Sequence, residues 1–123
     1  MTKLNYDTAI SEANTENIFR DFYGATSFIE KSAIPKRYGF KSKNGTEYKG
    51  YPDFFKQCED FVIVVEAKAT EHEKAKEEVQ WYMKENKISQ PIFGIAISGQ
   101  GNDSLKCTEY FLKNKSSEII EIS

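Results

Sequence analysis

The chain has 123 residues, of which 39% are hydrophobic and 14% aromatic, enough for one globular domain that buries about two-thirds of its unfolded surface. A net charge of −2, taken alone, argues against a nucleic-acid-binding protein. The sequence has no apolar run of 18 residues and no signal-peptide pattern, so we expect a cytoplasmic protein without a membrane span. The two cysteines, Cys58 and Cys107, are expected to be free thiols in a reducing compartment.

The first predicted element is a short amphipathic helix. Residues 1–11 show little pattern, and the helix follows over Asn14–Tyr23 with a polar cap. Its apolar stripe is formed by Ile18, Phe19 and Phe22, and Gly24 ends it. Two acids on this helix, Glu12 and Glu16, are candidates for a site. Glu16 is preferred because Phe19, three residues on, turns that side of the helix toward the core.

A first β-hairpin is predicted after this helix. The segment Ser32–Pro35 is read as extended, because a residue that precedes proline avoids the helical region. Weak alternation over Arg37–Ser42 and the turn dipeptide Asn44-Gly45 favour a hairpin that runs through Tyr51 into the next strand. Residues 31–49 contain a single acid, Glu47, and six basic residues: Lys31, Lys36, Arg37, Lys41, Lys43 and Lys49. A solvated loop explains this excess equally well. A phosphate backbone is the functional alternative, with Lys36, Arg37, Lys41, Lys43 and Lys49 as the candidate contacts.

A second hairpin brings two carboxylates together. If residues 53–58 and 61–66 pair around Glu59-Asp60, position 57 meets 62, 56 meets 63, and Asp53 meets Glu66. Directly opposed residues have Cβ atoms about 4.5–5.5 Å apart. Side chains two positions apart on a strand share a face, so Lys68 joins Glu66 on its side.

Two carboxylates at this separation call for a cation. They repel each other by roughly 3 kcal/mol at an effective dielectric constant near 20. Lys68 offsets only part of that, so a divalent cation is expected between Asp53 and Glu66. Ligands that are all oxygen suit Mg²⁺, with Mn²⁺ as a substitute, rather than zinc. A surface salt-bridge cluster at the end of a strand is the plainer alternative.

The remaining elements alternate between helix and strand. A helix over residues 71–86, capped by Thr70, has a buried stripe of Ala75, Val79, Tyr82 and Met83. The nearly continuous apolar run 91–98 predicts a strand that is buried on both faces and reached by a parallel crossover. A loop follows at 99–103, then an edge strand over 105–112 and a short element of uncertain type at 118–122.

These residues carry a family resemblance. Pro52-Asp53, a short hairpin and Glu66-Ala67-Lys68 resemble the motif of the PD-(D/E)xK nuclease superfamily. More narrowly, GYPDFF…FVIVVEAKA…VQWY, within residues 12–98, is similar to the nuclease domain near the N-terminus of type I restriction enzyme motor subunits and of related fused restriction–modification proteins. The resemblance implies an α/β fold of αβββαβ order: a central mixed sheet, flanked by helices, in a single nuclease domain spanning residues 1–123. It also implies a Mg²⁺-dependent endonuclease that restricts foreign DNA.

The resemblance also implies roles for individual residues. Asp53, Glu66 and the Ala67 carbonyl would hold the metal, and Lys68 would lie beside the attacking water. The acid on the first helix, Glu16 or Glu12, would bind a second metal or position Lys68. Gln80 matches the glutamine of the family's Gln…Tyr pair, whereas Tyr82 follows it after one residue instead of the commoner three. Motor or methyltransferase domains, in the same chain or in a partner, would be the other partners, and the chain would be a fragment from the N-terminus of a longer protein.

Two other functions stay open: a non-catalytic module of the same fold that binds DNA or a subunit, and a nuclease for branched DNA or RNA. His72, the only histidine, is read as a surface residue. Trp81 lies off the apolar stripe and is expected to pack under the C-terminal segment, to contact DNA or to dock another domain.

Overall fold

The computed structural model describes residues 12–21, 24, 27–42, 50–101 and 103–122. Over these residues the chain is an α/β protein in which two helices accompany one six-stranded mixed sheet. The elements in chain order are α1 (12–21), β1 (Ile29–Glu30), β2 (Phe54–Gln57), β3 (Val62–Lys68), α2 (His72–Lys84), β4 (Ile92–Ser98), β5 (Lys106–Leu112) and β6 (Ile120–Glu121). Neighbours along the chain are also neighbours in the sheet, in the order β1-β2-β3-β4-β5-β6.

The β2–β3 hairpin has the predicted register. Gln57 pairs with Val62 and Lys56 with Ile63, and the antiparallel ladder ends at Phe54 and Val65. The Cys58 N–H donates to the Phe61 carbonyl oxygen at 2.9 Å, which leaves Glu59-Asp60 as the two-residue connection. The next pair of positions, just beyond the ladder, is Asp53 and Glu66.

The strand–helix–strand unit β3–α2–β4 also forms as predicted. β3 and β4 pair in parallel from Val62 with Ile92 to Lys68 with Ser98. Every residue of β4 except Phe93 is buried, as a strand covered on both faces requires. Because the two strands are parallel, their carboxyl ends meet at one edge of the sheet, beside Lys68.

The sheet has a core on each face. Successive strand residues point to opposite faces, and Phe55 and Val64 accordingly lie in the cluster that contains the α2 stripe. That stripe is Ala75, Val79, Tyr82 and Met83, as predicted. On the other face, Phe19 of α1 packs against Phe54, with ring centroids 4.5 Å apart, in a second cluster that contains Val65 and Ala67. The two helices therefore cover opposite faces of the sheet.

The close approach of α2 to β4 depends on Gly94. A Cβ atom at this position would overlap the Met83 sulphur and lie 3.3 Å from a Val79 methyl group. We expect Gly94→Ala to lower the free energy of unfolding by about 1–3 kcal/mol, the usual effect of overpacking a core. Urea unfolding measures it, and Gly101→Ala is the matched control, because a Cβ there meets nothing within 4 Å. Equal stability of the two variants would contradict this packing.

The predicted first hairpin is wrong in its first strand. Lys36–Tyr38 forms a 3₁₀ turn, residues 39–42 have no regular structure, and the strand next to β2 is β1. The physical reason is local. Pro35 has a φ of −58°, and Gly39, in the left-handed region at +68°, closes the turn by donating its N–H to the Lys36 carbonyl oxygen at 3.0 Å. The predicted turn at Asn44-Gly45 lies outside the described residues.

Other boundaries differ from the predictions by a few residues. Residue 12 is already helical, so α1 begins before the predicted cap at Asn14, whereas Gly24 ends it as predicted, with φ +88° and its N–H on the Arg20 carbonyl. Helix α2 is shorter than predicted, and its N-cap residue is Glu71, which makes no side-chain cap hydrogen bond. β5 is not an edge strand, because β6 pairs with it between Phe111 and Ile120. A strand of two residues has too little pattern to be predicted.

Candidate active site

Asp53 and Glu66 lie side by side where β2 begins and β3 approaches its end. The Asp53 N–H donates to Glu66 Oε1 at 3.1 Å, and the Ala67 N–H donates to Asp53 Oδ2 at 2.8 Å. These bonds continue the hairpin by one residue pair, with side chains in place of the backbone ladder. The two carboxylates therefore meet on the same side of the sheet, at the positions that the register predicts.

Both carboxylates resist ionisation. Burial and, after it, the negative charge of Glu16 raise the pKa of Asp53 to about 6, against the opposing effects of the Ala67 N–H and of Lys31 and Lys68. Burial is also the main reason that the pKa of Glu66 is well above its ordinary value, followed by the charges of Asp53 and Glu78. Ionisation of this buried pair therefore costs free energy in the folded chain.

Lys68, two residues after Glu66, forms an ion pair with Glu78. Its Nζ lies 3.1 Å from Glu78 Oε1 of α2, and both side chains are less than a fifth exposed. Burial acts to lower the pKa of Lys68, but the charges of Glu78, Glu66 and Glu12 outweigh it, so the pKa is raised and the ammonium stays charged. Lys68 is held at the edge where β3 and β4 end.

Glu78 is a site residue that our sequence reasoning missed. The buried stripe of α2 contains Ala75, Val79 and Tyr82, and Glu78 is three residues after the first and four before the last. Residues at this spacing lie on one helical face. An acid within an apolar stripe was the available signal, because such a position needs a cationic partner.

The two candidate acids of α1 act on different parts of the site. Glu16 is buried, and the structure pairs its carboxylate with Lys31, at 2.9 Å from Oε2, and with Arg20, at 3.5 Å from Oε1. Its charge raises the pKa of Asp53, whereas the charge of Glu12 raises that of Lys68. Each acid is thus close enough to one member of the site to change its ionisation.

Gln80 and Tyr82 differ in their relation to the carboxylates of the site. The Gln80 side-chain nitrogen donates to the Lys76 carbonyl oxygen, one turn back along α2, and within the described part of the chain it makes no bond to Asp53, Glu66 or Lys68. Tyr82 is buried, and burial followed by the charges of Glu66, Glu78 and Asp53 raises the pKa of its hydroxyl. The tyrosine of the pair is therefore close enough to the carboxylates for their charges to act on its hydroxyl.

The donor set fits a hard divalent cation. Asp53 Oδ2 and Glu66 Oε1 accept hydrogen bonds, whereas Asp53 Oδ1 and Glu66 Oε2 accept none from the described residues and are not fully buried. A strand residue directs its N–H and C=O to the same side, so the Ala67 carbonyl also points toward the Asp53 side. No group of three or more His, Cys, Asp or Glu side chains suited to a metal occurs among the residues described. A site here would therefore combine two carboxylates, a carbonyl and water, which suits Mg²⁺.

The basic segment is described only in part. Lys36, Arg37 and Lys41 are exposed, with Arg37 above the Tyr38 ring at 4.8 Å from its centroid and Lys41 at 4.0 Å from Glu85. Lys43 and Lys49 lie outside the described residues. The role of this segment in binding DNA stays a prediction.

The structure gives contacts for His72 and Trp81, whereas DNA contact or domain docking by Trp81 stays a prediction. His72 is only partly exposed, and its two ring nitrogens hydrogen-bond Ser98 and Thr108, each at 2.8 Å, so it is a surface residue with buried partners. The reason is that the start of α2 faces β4 and β5. Trp81 packs against the α2-side core and donates to the Lys41 carbonyl at 3.0 Å, so its hydrogen bond reaches the 39–42 segment rather than the C-terminal segment.

Both cysteines are free thiols, as predicted. Of the helices that the structure describes, none has the length and apolar character needed to cross a membrane. The chain matches no protein-family model, and comparisons with curated proteins and with solved structures find no significant match.

Proposed function

We propose that this chain is a Mg²⁺-dependent endonuclease domain of the PD-(D/E)xK type, which hydrolyses phosphodiester bonds of DNA in the restriction of foreign DNA. The observation that carries the proposal is the pairing of Asp53 with Glu66 beside the ammonium of Lys68: the Asp53 N–H donates to Glu66 Oε1 at 3.1 Å, and the Ala67 N–H donates to Asp53 Oδ2 at 2.8 Å. Motor or methyltransferase domains, as the sequence resemblance implies, would deliver the DNA.

The order of elements supports this proposal. The helix α1 is followed by the antiparallel strands β1, β2 and β3, then by α2 and the parallel strand β4. This is the αβββαβ order that the resemblance predicts, with β5 and β6 added at the far edge. Of the candidate residues, Glu66 and Lys68 lie in the last three positions of β3, and Asp53 comes just before β2.

Each residue has a chemical task in this reaction. Asp53, Glu66 and the Ala67 carbonyl would bind the cation, and their uncompensated charge favours one. Bound Mg²⁺ would polarise the scissile phosphate and lower the pKa of a coordinated water. Lys68, kept charged by Glu78 and Glu66, would stabilise the negative charge that develops on the phosphate. Glu78 would fix the direction of the Lys68 side chain.

One observation favours a second candidate function. The Lys68 ammonium is engaged by Glu78 at 3.1 Å, which is also what a purely structural ion pair would show. A non-catalytic module that keeps the fold to bind DNA or a subunit would have such a pair. The two functions differ in whether divalent cations bind at Asp53 and Glu66 and in whether DNA is cut.

Binding of Mg²⁺ is expected to stabilise the folded chain. A ligand that binds only the folded state raises the free energy of unfolding by about 1.4 kcal/mol when its free concentration is ten times its Kd. Mg²⁺ is such a ligand here because it would neutralise the Asp53–Glu66 pair, which forms only in the folded chain. We expect Mg²⁺ to raise the melting temperature of the wild type in differential scanning fluorimetry, and not that of an Asp53→Asn/Glu66→Gln double variant. The companion assay is Mg²⁺-dependent cleavage of plasmid DNA, abolished by EDTA. A wild-type melting temperature that Mg²⁺ leaves unchanged, together with uncut plasmid, would support the non-catalytic module.

A further inference from the structure

A cavity of about 190 Å³ lies at the edge of the sheet where β3 and β4 end. Ser98, the last residue of β4, pairs with Lys68 on one side and with Lys106 on the other, so these residues form one row across β3, β4 and β5. Ser98 and Lys106 line the cavity together with residues that lie beyond the strand ends: Thr70, Gly99, Gln100 and Ser104. The cavity therefore adjoins Lys68 on the side toward β5.

The lining of this cavity suits an anion. Each of its six residues is neutral or cationic, although the chain contains 19 acidic residues. Their ammonium, hydroxyl and amide groups are the donors that proteins use to bind phosphate oxygens. A neighbouring cavity of about 580 Å³ shares Thr70 and Lys106 but is also lined by three acids: Glu71, Glu73 and Glu77. A negatively charged ligand is therefore favoured in the smaller cavity.

Two donors of the smaller cavity are available to a ligand. The Lys106 side chain is exposed and forms no ion pair with the residues that the structure describes, and within the same residues the exposed Thr70 hydroxyl makes no hydrogen bond. The β4–β5 loop beside them is held in place. Ser104 Oγ accepts the Gln100 N–H at 3.1 Å, and the Gln100 side-chain nitrogen donates to Thr15 Oγ1 of α1 at 2.8 Å. One ammonium and one hydroxyl thus face a cavity whose far wall is fixed.

We propose that this cavity is a phosphate subsite, in which Lys106 and Thr70 bind a backbone phosphate of the DNA strand next to the phosphate that is cut. The inference rests on the proposed function and adds to it a place for the uncut part of the substrate. The row of Lys68, Ser98 and Lys106 spans three strands, so the backbones of its two lysines lie about 10 Å apart, twice the strand spacing. A phosphodiester chain that reaches Lys68 is therefore within range of the Lys106 side chain. Because the contact is to phosphate, it positions DNA of any sequence.

The salt dependence of DNA binding tests this assignment. Each phosphate that a protein cation neutralises contributes about −0.9 to the slope of log K against log salt concentration. Lys106→Ala is expected to make that slope shallower by about 1 and to weaken binding about tenfold at 0.1 M salt. The measurement is fluorescence anisotropy of a labelled duplex with Ca²⁺ in place of Mg²⁺, since both ions take oxygen ligands, and electrophoresis checks that the duplex stays intact.

Two further variants separate charge at this cavity from charge elsewhere. Lys113→Ala, the matched control, removes an exposed lysine just beyond the opposite end of β5 and is expected to keep the wild-type slope. Thr70→Val removes an uncharged donor, so it is expected to weaken binding about two- to tenfold without a change in slope. Circular dichroism checks that each variant is folded.

Cleavage kinetics with Mg²⁺ supply a second readout. Lys106→Ala is expected to act on KM rather than on kcat, because it removes a contact that substrate and transition state share. Wild-type binding and KM in Lys106→Ala would overturn the inference and leave the proposed function intact, and so would a fall in kcat at constant KM. Loss of inorganic phosphate binding in phosphorus NMR, with unchanged DNA binding, would indicate a site for the free anion and overturn it too. A wild type that neither binds nor cuts DNA would refute both proposals.

Discussion

Substitution of Lys68 by alanine is expected to lower the rate of Mg²⁺-dependent DNA cleavage by about 10²–10³-fold, the usual effect of removing one preorganised group that stabilises developing charge. The physical reason is that Lys68 is the cation whose pKa Glu78 and Glu66 together hold above its ordinary value, beside the carboxylates. A supercoiled plasmid, incubated with Mg²⁺ and sampled over time, measures the rate.

The folded state needs its own control in this experiment, because Lys68→Ala leaves Glu78 without its partner. The double variant Lys68→Ala/Glu78→Ala removes the uncompensated carboxylate and is expected to be equally inactive but more stable than the single variant. Lys113→Ala changes an exposed lysine at the end of β5 and is expected to cleave at the wild-type rate. Cleavage by Lys68→Ala within threefold of the wild-type rate would end the assignment of Lys68 to the reaction.

Substitution of Asp53 by asparagine is expected to stabilise the metal-free protein at pH 8 by about 1–3 kcal/mol, since one pKa unit corresponds to about 1.4 kcal/mol. The pKa of Asp53 rises from 3.8 in the unfolded chain to about 6 in the folded one. Between these values the folded chain holds a proton that the unfolded chain has lost. The stability that this proton contributes is complete below pH 4 and is lost as the pH rises through 6. Asparagine cannot ionise, and its side-chain oxygen can still accept the Ala67 N–H.

The difference between the two proteins separates the Asp53–Glu66 pair from titrations elsewhere in the chain, and it includes the change in the pKa of Glu66 that follows the loss of the Asp53 charge. The pKa of His72 is lowered, mainly by burial, so that its ionisation destabilises the folded chain as the pH falls, and it does so equally in wild type and variant. Urea unfolding at pH 8 and pH 4 is expected to show a large difference at pH 8 that nearly vanishes at pH 4. Saturating Mg²⁺ at pH 8 should reduce the difference by stabilising the wild type alone.

Asp60→Asn, an exposed acid in the hairpin loop, controls for the loss of one charge and is expected to stay within about 0.5 kcal/mol of the wild type at both pH values. A variant less stable than the wild type at pH 8 would contradict the electrostatics of the site.

Local patterns in the sequence were sufficient to predict those parts of the structure in which residues repeat with the fixed period of a helix or a strand. The β2–β3 register follows from counting outward from Glu59-Asp60, and one shift would have moved every side chain to the other face. The stripe of α2 and the parallel β4 follow in the same way, from the spacing of Ala75, Val79 and Met83 and from the unbroken apolar run. The meeting of Asp53 with Glu66 is a consequence of that register. It was therefore readable from the chain alone.

The partners of these residues needed the tertiary structure. Glu78, Lys31 and His72 are polar residues whose neighbours are 10 to 36 positions away in the chain, at Lys68, Glu16, Ser98 and Thr108. No period in the sequence encodes such distances. The two-residue strands β1 and β6 were not predicted as strands for a related reason. So short a strand is defined by the neighbour it pairs with and not by its own pattern. The amino-acid sequence by itself therefore determined which carboxylates meet, whereas only the packing of α1, β1 and α2 around them decided which cations accompany them.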